Sequence, residues 1–311
     1  MERSTDFYVT CKQVWEKLNI LHTKGKVKGK YIGFNSLENK YSVKLGCTTY
    51  ILGIPGHGKS EFLFEILINL SEFYGWRHII YSPETGTATD IFLELAMKYC
   101  KKPLKQIDQK EFWKAIAFLD EYFYVLNPKD NEKTPDKLFD LALKIKDEFY
   151  MDDKHFHTFS IDPWNELSHD FALYGGREDK YLAFMLGLIR QRSKENNIHT
   201  FIVAHPRTLR EKKNDNTYSP PTTYEFSGGA EWFNKGETIL CIYRPKIYDK
   251  ELNQHYNNVN IIIQKAKPKG IGCNKGEIEL YYDVENGRYY EQINGTDIYA
   301  NKNSINHEPP F

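Results

Sequence analysis

The sequence predicts an α/β protein built on a mostly parallel twisted sheet, with helices on both faces and antiparallel strands toward the C-terminus. Three observations carry this prediction. Apolar runs such as TTYILGI, RHIIYS, HTFSID and HTFIVAH are continuous rather than alternating, as expected of strands buried on both faces. Stretches with a single apolar helical stripe separate them, which is the rhythm of repeated βαβ units. From about residue 238 the runs TILCIYR, VNIIIQKA, EIELYYD and RYYEQI follow with little helix between them, and Asn286-Gly287 marks a hairpin turn.

Taken in order, Thr10 to His22 places Val14, Leu18 and Leu21 on one helical face, with a start at Thr10 and Gln13 and a stop at Gly25. The segment GKVKGK that follows reads as a linker. TTYILGI is the first strand; the next helix carries Phe62, Ile66, Leu70 and Phe73 on one stripe, and RHIIYS completes a βαβ unit. A helix is expected from Thr89 to Tyr99 and another from near Asp108, then the strand YFYVL and a helix after Pro135. HTFSID leads to a helix with Tyr181, Phe184, Met185, Leu188 and Ile189 on one face, and then to HTFIVAH. Residues from about Asn294 are polar and aperiodic and predict a loose tail. The expected organisation is a helix and linker over 1–30, one large domain over 31–293, and a flexible tail over 294–311.

At 311 residues, with 41% hydrophobic and 27% charged content, the chain can bury a substantial core. Basic and acidic residues balance at 42 each, so whole-chain charge gives no sign of a nucleic-acid partner, and any such contact must come from local basic patches. No apolar run approaches the roughly 18 residues of a membrane span, and the N-terminus lacks the apolar core of a signal peptide. The five cysteines form no CxxC pair, which argues against a zinc site or a disulfide framework. The expectation is an intracellular, cytoplasmic protein with no membrane partner.

Between the first strand and its helix lies GIPGHGKSEF, residues 53 to 62. Gly53 to Ser60 matches GxxxxGK[S/T] in the strand-to-helix context that the motif requires. Glycines allow backbone N–H groups to turn inward around phosphate oxygens, and the helix N-terminus adds partial positive charge. Gly53, Pro55, Gly56, His57, Gly58, Lys59, Ser60 and Glu61 are thus the candidate nucleotide-binding run, with Lys59 reaching the β and γ phosphates and Ser60 ligating Mg²⁺. The cofactors implied are ATP and Mg²⁺. Asp162 closes HTFSID and fits the second metal-holding position, although Asp-Pro also reads as a plain turn. Glu84 follows RHIIYS and is placed to orient the attacking water; its other reading is a solvated acid near a helix start.

IDPWNEL, IVAHPR and EFSGGAEWFNK, in this order after YIGFNSLE and the phosphate loop, resemble the helicase domain of Twinkle and the phage primase-helicases, relatives of DnaB among the RecA-like ATPases. The resemblance spans about Tyr31 to Glu291. It implies a RecA-like core in which Gly58, Lys59 and Ser60 bind nucleotide and metal, Asp162 is the Walker B carboxylate and Glu84 the catalytic base. It also implies that His205 senses the γ-phosphate, whereas alone a histidine closing an apolar strand reads as a satisfied core residue. RTLREKKNDNTYSPPTTYEF, residues 207 to 226, falls where the family places a DNA-binding loop, so Arg207, Arg210, Lys212 and Lys213 become candidate phosphate contacts; by itself the segment reads as a solvated loop.

The chain departs from the family in one charged position. Where relatives carry a lysine and then an arginine finger, QKAKPKG supplies Lys265 and Lys267. Lysine brings charge without the planar fork of arginine, and ordinary surface lysines are the other reading. The helix from Thr10 to His22 stands where relatives have a linker helix that docks on an adjacent subunit, or it packs on its own domain. The implied function is an ATP-dependent replicative DNA helicase, a hexameric ring moving 5′ to 3′ on single-stranded DNA with hydrolysis between subunits, in a bacterial or phage-infected cell. A separate primase or polymerase is a possible partner. Two other classes stay open: a RecA-like ATPase assembling on DNA without unwinding it, and a DNA-independent P-loop switch.

Overall fold

The computed structural model describes residues 8–26, 28–149, 155–207, 209, 218–226, 228–249, 252–268 and 272–302. Ten strands form one sheet. In chain order they are β1 (Thr48–Leu52), β2 (Arg77–Tyr81), β3 (Phe123–Val125), β4 (Phe156–Ile161), β5 (His199–Ala204), β6 (Thr238–Tyr243), then β9 (Asn258–Ala266), β10 (Gly276–Asp283), β11 (Arg288–Ile293) and β12 (Thr296–Tyr299). The short pair β7 (Tyr248–Asp249) and β8 (Gln254–His255) stands apart as its own ribbon. Across the large sheet the order is β12-β11-β10-β9-β6-β1-β5-β4-β2-β3. Every pairing from β3 to β6 is parallel, and every pairing from β6 outward to β12 is antiparallel.

Helices cover both faces, as the unbroken apolar strands require. On one face lie α2 (Lys59–Tyr74), α3 (Ala88–Cys100) and α4 (Gln109–Tyr122), which bury Phe62, Ile66, Leu70, Ile91, Leu95 and Leu119. On the other lie α5 (Pro135–Glu148), α6 (Glu178–Glu195) and α7 (Gly229–Lys235), which bury Leu138, Phe139, Tyr181, Met185, Ile189 and Trp232. Strand β1 feeds both cores alternately, Tyr50 and Leu52 to one side and Ile51 to the other. Helix α2 is buried nearly all round from Phe62 to Ser71, which places it at the centre of its layer. Capping boxes at Thr87 and Asp108 start α3 and α4.

Two expectations are corrected, and one left open is decided. The tail predicted from Asn294 begins instead with a hairpin: Asn294 and Gly295 have φ of 52° and 77°, and Ile293 pairs with Thr296. A two-residue turn with both residues left-handed suits antiparallel strands, and Asn-Gly accepts it readily. Residues 303–311 lie outside the described residues. Phe184 does not join the buried face of α6; it is 52% exposed and stacks near Tyr174. The N-terminal helix, α1 (Trp15–Lys24) with a 3₁₀ turn at Cys11–Val14, forms where expected but buries none of its residues, so it does not pack on the domain that follows.

Candidate nucleotide site

The phosphate loop leaves β1 at Leu52 and enters α2 at Lys59. Gly58 adopts φ 88°, ψ 28°, a left-handed conformation that lets the chain turn directly into the helix. Gly53 passes so close to β6 that a Cβ would sit 2.4 Å from the Ile242 carbonyl oxygen. The loop thus requires glycine at both ends. His57 is buried within it, and its Nδ1 accepts the Arg244 N–H at 3.0 Å. Burial first, then Lys59 and Arg244, lowers its pKa to about 4, so the ring is neutral and tethers the loop to the end of β6.

Parallel pairing brings the carboxylates to the same rim, at the C-terminal ends of β1, β5, β4 and β2. Lys59 folds back on the loop, its Nζ donating to the Ile54 carbonyl at 2.9 Å. Burial lowers its pKa to about 8, while Asp162 and Glu84 pull it upward. Asp162 is 1% exposed; burial raises its pKa to about 6, against the lowering influence of the Ser60 hydroxyl and Lys59. Its Oδ2 accepts from Ser82 Oγ at 3.3 Å, and its Oδ1 is buried with no hydrogen-bond partner. A buried carboxylate oxygen lacking a donor, beside a serine hydroxyl, is the donor set that a hard cation completes. No cluster of three or more His, Cys, Asp or Glu able to hold a metal exists among the described residues, so Mg²⁺ would be held by Ser60, Asp162, phosphate oxygens and water.

Glu84 and His205 meet across this rim, with Glu84 Oε2 2.9 Å from His205 Nε2. The His205 backbone N–H donates to Asn165 Oδ1 at 2.8 Å, and its Nδ1 is buried without a partner. Burial lowers the His205 pKa, joined by the nearby Lys59, with Glu84 opposing. The pair links the proposed water-orienting acid to the strand that runs on toward the 207–226 segment. Arg207 is exposed, with its backbone N–H on the Glu225 carbonyl; Arg210, Lys212 and Lys213 lie outside the described residues.

Lys265 and Lys267 are not brought to this rim. They lie at the far end of β9, where Thr238, the first residue of β6, pairs with Ala266, and β6 runs parallel to β1. A five-residue strand separates that end from the phosphate loop by roughly 17 Å. Lys265 is buried against the Phe233 ring, 4.7 Å from its centroid, and donates to the Phe233 carbonyl. Lys267 is exposed and lines a cavity of about 770 Å³ together with Lys44, Arg190, Lys194 and Lys235.

Several contacts near the loop carry no local sequence signal. Arg244 sits in a cavity of about 360 Å³ with His57, Tyr218, Tyr243 and Tyr248, its Nη2 donating to the Tyr256 carbonyl. Glu61 is held by Lys98 at 2.6 Å and by the Tyr282 hydroxyl at 2.9 Å. Arg288 and Glu65, both fully buried, pair at 2.9 Å and 3.0 Å beneath α2. Apart from the Arg244–Tyr256 bond, which spans 12 residues, each contact joins positions more than 30 residues apart, which no short pattern reveals.

No family model matches the chain. Over 277 residues, 86% of this chain, it is 28% identical to a Twinkle homolog protein, chloroplastic/mitochondrial, of Arabidopsis thaliana, and it spans only 37% of that relative's length. A solved ATPase domain superposes with a TM-score of 0.71 at 16% identity, covering 91% of this chain and 98% of its own. A DnaB-like replicative helicase, solved in a study of its interactions with primase, superposes with a TM-score of 0.68 at 16% identity, over 91% of this chain and 67% of its own. The fold is that of the DnaB-like RecA-fold ATPase domain.

Proposed function

We propose that this chain, similar in sequence to a Twinkle homolog and in fold to a DnaB-like replicative helicase, is the motor of an ATP-dependent replicative DNA helicase. It hydrolyses ATP between adjacent copies of a hexameric ring moving 5′ to 3′ along single-stranded DNA. The observation that carries the proposal is the placement of chemistry at two opposite ends of one set of strands. Lys59, Ser60, Asp162, Glu84 and His205 converge at one end, while Lys265 and Lys267 lie at the other, out of reach of their own phosphate loop.

Bound Mg²⁺ and ATP supply the electrophilic phosphorus and neutralise its charge. The loop N–H groups and Lys59 hold the phosphates, Ser60 and Asp162 hold the metal, and Glu84 orients water and takes its proton. His205, bonded to Glu84, passes the state of that site to the segment carrying Arg207, Arg210, Lys212 and Lys213, which bind phosphates without reading sequence. Lys267 of one copy stabilises the phosphoryl group held by the next. The exposed α1 helix, bearing Trp15, Leu18 and Leu21, covers its apolar face on a neighbouring copy. The motor works in the cytoplasm beside a separate primase or polymerase.

The test is the steady-state ATPase rate with and without single-stranded DNA, together with mass in solution with a nonhydrolysable ATP analogue. Strong stimulation and a six-subunit species are expected, followed by unwinding of a forked duplex. A DNA-indifferent rate from a monomer would overturn the reading.

A further inference from the structure

The phosphate loop is braced from behind by a hairpin more than 200 residues away in sequence. Tyr289, on β11, is buried, and its hydroxyl donates to the Gly58 carbonyl at 3.1 Å. Its ring packs edge-on against Phe62, one turn into α2, at 5.4 Å between centroids. Its own backbone N–H reaches Glu65 Oε2 at 3.3 Å, and Glu65 is fixed in turn by Arg288. The tyrosine is therefore held by two residues of α2, Phe62 and Glu65, before it touches the loop.

The Gly58 carbonyl is a consequential place to hold. Among the described residues only Asp162-Pro163 and Lys267-Pro268 are cis, so the Gly58–Lys59 peptide is trans, and its carbonyl and the Lys59 N–H point to opposite sides. The carbonyl also accepts the Phe62 N–H at 2.9 Å, so it points down the helix and the Lys59 N–H points out of the N-terminus. That amide is one of the unpaired donors that a phosphate meets. Gly58, in its left-handed conformation and without a side chain, leaves this peptide held by the one helical bond from Phe62. The Tyr289 hydroxyl adds a second donor on the carbonyl and narrows the peptide's remaining swing.

We propose that Tyr289 is a positioning residue for nucleotide binding: its hydroxyl fixes the Gly58–Lys59 peptide so that the Lys59 amide faces the phosphates. This rests on the nucleotide-binding reading of the loop and adds a residue to it. The hydroxyl does not touch nucleotide; it acts through the peptide. Burial first, then the carboxylate of Glu61, keeps the phenol protonated and donating.

The test is Tyr289→Phe, which removes the bond and keeps the ring. Affinity for a fluorescent ADP analogue, measured on the full chain, is expected to weaken about fivefold, the ~1 kcal/mol of one net hydrogen bond. KM for ATP should rise by a similar factor with kcat within about twofold and the melting temperature little changed. Tyr281→Phe, whose hydroxyl meets Glu279 on the same hairpin away from the loop, should change neither. Equal ADP affinity in wild type and Tyr289→Phe would overturn the inference, as would a loss of kcat with KM unchanged. A wild-type protein that binds no ADP would instead defeat the nucleotide reading itself.

Discussion

The two ends of the parallel strands differ in what the chain completes alone. At the C-terminal end, side chains are mutually engaged: burial raises the pKa of Asp162 and lowers that of Lys59, and the exposed Glu84 already bonds His205. At the N-terminal end, Lys44, Arg190, Lys194, Lys235 and Lys267 surround an open cavity in which Glu237 is the one acid. Glu237 is occupied by Arg190 and by the Thr48 N–H. The first end has its partners inside the chain; the second has excess charge facing outward. Preorganised acids and bases suit chemistry, and unspent cations suit an anion that arrives from elsewhere.

The largest expected effect breaks the first end. Lys59→Ala should weaken nucleotide binding by more than about 100-fold and abolish hydrolysis, because a buried charge-assisted contact to phosphate is lost; near-normal ADP affinity by titration would refute the loop assignment. Breaking the second end should split the two properties. Lys267→Ala is expected to lower turnover about 100-fold while ADP binding stays within twofold, and Lys267→Arg should keep or raise turnover. DNA-stimulated hydrolysis that survives Lys267→Ala would leave that end without a catalytic role.

Acid offers a gentler way to separate the ends. His199, at the start of β5, donates from Nδ1 to the Lys44 carbonyl at 2.7 Å and accepts from Thr49 Oγ1 at 3.0 Å, so it is held neutral. Burial lowers its pKa from 6.5 to about 4. Between those values the unfolded chain binds a proton that the folded chain refuses, so its contribution is complete above about pH 6.5 and is lost as pH falls toward 4. His199→Gln should flatten the pH dependence of the urea midpoint by about one proton, roughly 1.4 kcal/mol per pH unit. An unchanged slope between pH 4.5 and 6.5 would show that His199 titrates normally. The smallest effect is on DNA: replacing Arg210, Lys212 and Lys213 together with Ala should reduce the salt slope of single-strand binding by about 2. Salt dependence identical to wild type would return that segment to ordinary surface.

What was legible in the sequence follows from distance along the chain. Lys59 and Ser60 are announced by eight consecutive residues, and the alternation of apolar runs with helical stripes placed β1 and β2 within a residue or two of their bounds, with α2 between them. The convergence of Asp162, Glu84 and His205 required only that the strands be parallel. The Arg288–Glu65 pair and the Tyr289 bond to Gly58 were invisible, because two segments with no shared pattern meet only after ten strands assemble. The tail was misjudged for a different reason: Asn294-Gly295 repeats the dipeptide of Asn286-Gly287, but only four residues of strand follow it, too few for an alternation to show.

Both margins of the large sheet are short, three residues in β3 and four in β12, and the first two positions of β12, Thr296 and Asp297, are exposed. A brief margin that carries a charge presents few unpaired amides and carbonyls for a foreign strand to align with. Crowded copies therefore gain little by lateral zippering, and fibre-like growth is discouraged at both flanks. Orderly association is left to the rims where the strands end.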